Sequence, residues 1–180
     1  AKLRDFFSRI FVTDIPKRDN AGEIAKLCDY LPLALLNAAS YLNKRPNIAS
    51  DEYIKRLGEK KIELLDMVAA SFSLSYDILS DEEKKQWRTL AVIPEAFDHI
   101  AVAAVWEMEP EKAQDVLGEL IDYSLVEYNK DTDCYRLHDL ARDYADSRMD
   151  DEERFAIQYR HALHYAAVLQ TADGLYMKGG

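Results

Sequence analysis

Leu125-Val126-Glu127-Tyr128, then Asn129-Lys130-Asp131-Thr132-Asp133, then Cys134-Tyr135-Arg136-Leu137-His138-Asp139-Leu140 is the stretch that decides how this chain folds. Its two flanking runs alternate apolar and polar side chains, the mark of strands with one buried face, and the polar run between them suits a hairpin loop. Just upstream, Ala113, Val116, Leu117, Leu120 and Ile121 follow Pro110 at helical spacing, after a short helix holding Val102 and Val105-Trp106. Further back, Ser80 to Glu83 is a capping box for a helix carrying Trp87, Leu90 and Ala91, which Pro94 ends. Met67, Ala70, Phe72 and Leu74 to Leu79 make the helix before that. Helices followed by a hairpin predict a winged helix over residues 66–148.

Outside that core the pattern is helical. Leu3, Phe6, Phe7, Ile10 and Phe11 form one stripe, closed by Pro16. Asn20 and Glu23 fit a capping-box variant opening a helix with Ile24, Leu27 and Cys28 on one side. Pro32 suits the first turn of the next helix, where its missing N–H is not needed; Leu35, Leu36, Ala39 and Leu42 carry that helix's apolar face. Ser50-Asp51-Glu52 starts a fourth, with Tyr53, Ile54 and Leu57 inward, before Gly58 and a lysine-rich loop. Residues 1–65 therefore read as a small helical bundle. After the hairpin, a helix starts near Asp139 with Leu140, Tyr144 and Ala145 inward. An acidic break at Asp150 to Glu153 then leads into a long helix striped by Phe155, Tyr159, Ala162, Leu163, Ala166 and Leu169. Residues 149–180 are expected to begin a C-terminal helical sensor region, the first half of a TPR-like hairpin repeat. The fold class is mainly α: a helical bundle, a winged helix with a small β-hairpin, and a C-terminal helix.

Composition narrows function. With 33 acidic against 23 basic residues in 180, the net charge of −10 repels polyanions. The predicted recognition segment carries Glu107, Glu109, Glu111, Asp115, Glu119 and Asp122 against Lys112, so DNA is not the expected partner. Cys28 and Cys134 give neither a disulfide framework nor zinc spacing, and reduced packed thiols are expected. No apolar run approaches the roughly 20 residues needed to span a bilayer, so no membrane association and a cytoplasmic location are expected. His161 and His164 sit three apart, which is ordinary helix packing without a third ligand. No Ser-His-Asp or Cys-His arrangement and no GxxxxGK[ST] loop occur, so the chain itself is expected not to be an enzyme. Helical periodicity already in progress at Ala1, and no natural finish at Met177-Lys178-Gly179-Gly180, suggest a piece of a longer protein.

Two short segments carry a family resemblance. Tyr30-Leu31-Pro32-Leu33-Ala34-Leu35 resembles the GLPL motif, and Tyr135-Arg136-Leu137-His138-Asp139-Leu140 the MHD motif, of the NB-ARC proteins, the STAND class of signal-transduction ATPases. Leu74-Ser75-Tyr76-Asp77-Ile78-Leu79 with Trp87, Leu90 and Pro94, and Glu119-Leu120-Ile121-Asp122-Tyr123-Ser124-Leu125-Val126, resemble the opening of that family's winged-helix subdomain and its stretch before the wing. The resemblance covers residues 1 to 148 and lacks the P-loop. It implies a parent ATPase whose upstream nucleotide-binding domain holds ADP or ATP, with Pro32 against the adenine region and His138 on the β-phosphate of ADP. The isolated chain is expected to bind no nucleotide on its own. Its partners would be that upstream domain and a downstream repeat domain of the same chain. Tyr30 stands where the motif has glycine, and Leu137 where it has methionine; the first excludes an easy positive φ, the second preserves volume. Read without the resemblance, Pro32 is a helix starter and His138 a capping residue. The competing functions are then a protein-interaction module without nucleotide, or a DNA-binding winged helix, which the acidic recognition segment disfavours.

Overall fold

The structure is a computed structural model that describes residues 18–64 and 66–177. The expected helix over Leu3 to Phe11 lies outside them. The described residues are mainly helical with one small antiparallel sheet, and form two compact units: those up to residue 80 with 120–125, and those of 81–119 with 126–177.

In the first unit, α1 (Arg18–Leu27), α2 (Pro32–Lys44), α3 (Ser50–Leu64) and α4 (Met67–Asp77) surround one core. Ile24, Ala25 and Cys28, then Leu35, Ala38 and Tyr41, then Tyr53 and Leu57, then Met67, Ala70 and Leu74 all recur at three- and four-residue spacings and are buried together. The rings of Tyr41 and Tyr53 meet at 5.0 Å. Asp66 starts α4 by accepting the Ala69 N–H at 2.8 Å. A boundary after residue 65 is a division of sequence pattern; in packing, Met67, Ala70 and Leu74 of α4 belong to this core.

Two local expectations are corrected. Asn20 does not cap a helix: it lies inside α1, and its side-chain amide donates to Asp51. Gly58 does not end α3. The helix runs on to Leu64, because Lys60 pairs with Asp77 at 3.2 Å and Lys61 with Asp29 at 2.7 Å, bracing the last turns against α4 and the end of α1.

The second unit contains α5 (Asp81–Thr89), a 3₁₀ turn (Leu90–Val92), α6 (His99–Trp106), α7 (Pro110–Asp122) up to residue 119, β1 (Glu127–Asn129), β2 (Cys134–Arg136), α8 (Asp139–Asp146) and α9 (Asp151–Met177). The strands pair antiparallel with Tyr128 opposite Tyr135. A third strand is supplied by one residue, since Phe97 exchanges both backbone hydrogen bonds with Tyr135 at 2.9 and 2.8 Å. That bridge completes the winged-helix sheet. Trp87 is fully buried and meets the Tyr144 ring at 6.1 Å, while the Trp106 indole N–H donates to the Gln86 carbonyl and the Thr89 hydroxyl, both at 3.1 Å, tying α6 to α5. Leu140 is exposed, not inward; Ala141, Tyr144 and Ala145 are the buried set of α8. The expected stripe of α9 also faces outward, and Ile157 is that helix's one fully buried residue among those described.

Two expected outcomes follow from the first core. The Tyr53 hydroxyl is buried without a hydrogen-bond partner among the described residues, so Tyr53→Phe removes an unmet polar group and should leave stability unchanged or raise it by about 1 kcal/mol in urea unfolding. Cys28 is fully buried. Burial first, and Asp29 second, push its thiol up to about 12, against partial relief from Lys61, so iodoacetamide at about pH 8 should leave it unmodified in the folded chain. Urea should expose it to labelling, read by mass spectrometry.

Candidate functional site

The approach to Pro32 is built by backbone bonds. The Asp29 N–H reaches the Lys26 carbonyl at 3.1 Å and the Tyr30 N–H the Ala25 carbonyl at 3.0 Å, the paired bonds of a Schellman motif closing α1. Such a closure needs left-handed backbone, and Asp29 and Tyr30 both adopt it, at φ 51° and 58°. Aspartate tolerates that region; tyrosine does so at a cost. Tyrosine therefore stands at positive φ at the position where the motif has glycine. Leu31 then returns to extended geometry (φ −71°, ψ 121°) and precedes Pro32, the first residue of α2, with the Leu35 N–H bonded to the Leu31 carbonyl at 3.0 Å. Tyr30, Leu31 and Pro32 are all exposed, Tyr30 to 56%. Lys61 supports the turn from below, donating to the Leu27 carbonyl at 3.3 Å and to the Asp29 carboxylate.

His138 ends the hairpin and starts α8. Leu137 before it is fully buried, which anchors the strand end in the core. The histidine has extended backbone (φ −60°, ψ 143°), and its Nδ1 accepts the Leu140 N–H at 3.2 Å. The capping reading of this residue is thus present in the geometry. It has a chemical consequence: with Nδ1 accepting a backbone proton, a neutral ring carries its own proton on Nε2, the nitrogen that the cap leaves over on this half-buried side chain. Asp139 follows in the first turn, where a carboxylate suits the helix N-terminus, and accepts from Arg142 at 3.2 Å. Pro32 belongs to the first unit and His138 to the second.

The rival sites gather nothing comparable. Glu111, Asp115 and Glu119 are exposed along α7, and Asp131 and Asp133 in the wing. Of the arginines nearby, Arg136 pairs with Glu127 at 2.9 Å, Arg142 with Asp139, and Arg148 donates to the Tyr144 hydroxyl at 2.8 Å while lying over its ring. His161 and His164 both pack against the Tyr165 ring, and burial, then the neighbouring His164, lowers the His161 pKa. Among the described residues no group of three His, Cys, Asp or Glu side chains is placed to hold a metal ion. None of the described helices is long and apolar enough to cross a membrane.

No protein-family model matches the chain. Three relatives bear on its role. Regulatory protein AfsR of Streptomyces griseus is 31% identical over 170 residues, which are 89% of this chain and 17% of that protein. A Mycobacterium tuberculosis protein named, provisionally, an HTH-type transcriptional regulator is 28% identical over 167 residues, 84% of this chain and 19% of that protein. Apoptotic protease-activating factor 1 of Homo sapiens is 23% identical over 155 residues, 79% of this chain and 12% of that protein. The chain is related to regulatory proteins. It spans less than a fifth of the length of each of these relatives.

The left-handed tyrosine yields a measurable outcome. Replacing it with glycine relieves backbone strain and removes a mostly exposed ring, so Tyr30→Gly should raise stability by about 1 kcal/mol in urea unfolding. Tyr30→Ala keeps the strain and should not. Equal effects of the two substitutions would show that the ring, rather than the backbone, sets the energy of this turn.

Proposed function

We propose that this chain is the sensing part of a STAND-type, NB-ARC nucleotide switch, with Pro32 and His138 the residues that meet nucleotide held by an upstream domain of the same protein. The observation that carries the reading is the cap at His138: Nδ1 is committed to the Leu140 N–H, which in a neutral ring leaves the proton on Nε2, the nitrogen the cap does not use. A donor whose direction is set before the ligand arrives loses less entropy on binding an oxygen of the β-phosphate. A neutral imidazole suffices for that contact. Exposed Pro32, at the start of α2, offers a rigid apolar ring for the adenine face.

In this reading the chain is not itself an enzyme; the parent is the ATPase. ADP bridges the upstream domain to His138 and favours a closed arrangement, and exchange for ATP removes that differential contact, so the equilibrium shifts. The relatives' names as regulators support a regulatory role, and the ordered motifs support this class of regulator. The acidic α7 and the engaged arginines argue against DNA as a ligand of this winged helix, whatever other parts of an HTH-type regulator bind. A second reading, a protein-interaction module without nucleotide, draws on the outward apolar stripe of α9.

The two jobs of His138 separate by substitution. Aspartate caps a helix well but, ionised, has no donor; alanine lacks both the cap and the donor. In the full-length parent, His138→Asp should keep the melting temperature yet release ADP about tenfold faster or more, as loss of a hydrogen bond to a charged group implies. His138→Ala should release ADP equally fast and lose about 1 kcal/mol of stability. ADP release unchanged in both variants would remove His138 from the proposed role.

A further inference from the structure

α9 attaches to the winged-helix unit by its polar face. Glu153, Ile157 and Arg160 recur at four and three residues and share that face. The Glu153 carboxylate takes both Arg88 donors, Nε at 2.7 Å and Nη2 at 2.8 Å, in a bidentate pair whose side chains are only 14% and 21% exposed. Arg160 pairs with Glu107 at 2.5 Å and reaches the Val105 carbonyl at 3.4 Å. Between them Ile157 is buried. A third pair, Arg154 with Asp146, holds the same turns to the end of α8. The opposite face, with Phe155, Tyr159, Leu163 and Leu169, is open to solvent.

Glu107 gives a second, independent sign. It terminates α6 at φ 55°, the left-handed position that glycine fills best, and its N–H caps the helix on the Ala103 carbonyl. A glutamate there strains the backbone, and its carboxylate is the one that meets Arg160. A strained residue whose side chain makes a tertiary ion pair is kept for the pair more readily than for the turn.

We infer that Arg88–Glu153 and Glu107–Arg160 form an ion-pair clasp that holds the first turns of α9 on the winged-helix unit, and that α9 detaches as an arm when the clasp opens while the unit stays folded. The physical basis is the balance of terms. One buried isoleucine is a small apolar contact for a helix of 27 residues, so direction and retention come from the charges. Opening the clasp takes both partners into water together, whereas Arg88→Ala leaves the Glu153 carboxylate, 14% exposed, without its bidentate partner. A helix freed from its packing frays in water, and what the unit loses with α9 is the contact of the face that carries Ile157.

Hydrogen exchange measured by mass spectrometry on the full chain tests this. Arg88→Ala and Glu153→Ala should each speed exchange of residues 151–164 by tenfold or more and leave α8 and the hairpin unchanged. The swap combining Arg88→Glu with Glu153→Arg should restore much of that protection. Glu107→Gly should slow exchange at the end of α6, where strain is relieved, while speeding it in α9; a merely structural turn residue would move both the same way. The clasp is overturned if the single variants leave α9 protected, if the swap exchanges as fast as the single variants, or if α8 loses protection together with α9.

Discussion

A single backbone proton, the one on Leu140, organises the junction between hairpin and α8. By occupying Nδ1 of His138 it starts α8 and dictates which nitrogen of the neutral ring keeps a proton. Imidazole has one donor and one acceptor when neutral, so the inner contact decides the outer chemistry. Capping and the proposed sensing role are thus compatible in one arrangement of one side chain. The buried Leu137 makes that arrangement rigid, because the residue before the histidine cannot shift without opening the core.

Much of the architecture is legible in the residues. Proline marks the start of α2 and of α7 because a helix's first turn does not need its donor, and the alternation around Asn129 to Asp133 marks the hairpin because pleating has a period of two. The third strand is not legible: a bridge of one residue at Phe97 is too short to alternate with anything. Gly58 misleads as a helix end because propensity is a weak prior, and the lysines that follow it find carboxylates on α4 and beyond α1. Leu140 misleads because the cap sets the helix register one residue later, turning Ala141 inward.

α9 shows the deeper limit. A stripe of apolar residues identifies the face a helix must hide somewhere, yet says nothing of which neighbour hides it. Here the packed face is written in arginine and glutamate, whose partners at 88 and 107 lie far away in sequence and follow no period. At the candidate site the same distinction applies. Pro32 and His138 are readable as positions, since proline at a helix start and histidine between strand and helix leave local marks. The tautomer and the left-handed turn are products of three-dimensional hydrogen bonding and are not readable from the letters.

Tyr30 carries a consequence for how this turn can change over generations. Its codon lies one base from those of asparagine, aspartate and histidine, the residues other than glycine that sit most readily at positive φ. Glycine itself is two changes away. A mutational route to a relaxed backbone at this turn is therefore short, and it runs through polar side chains before it reaches the bare one.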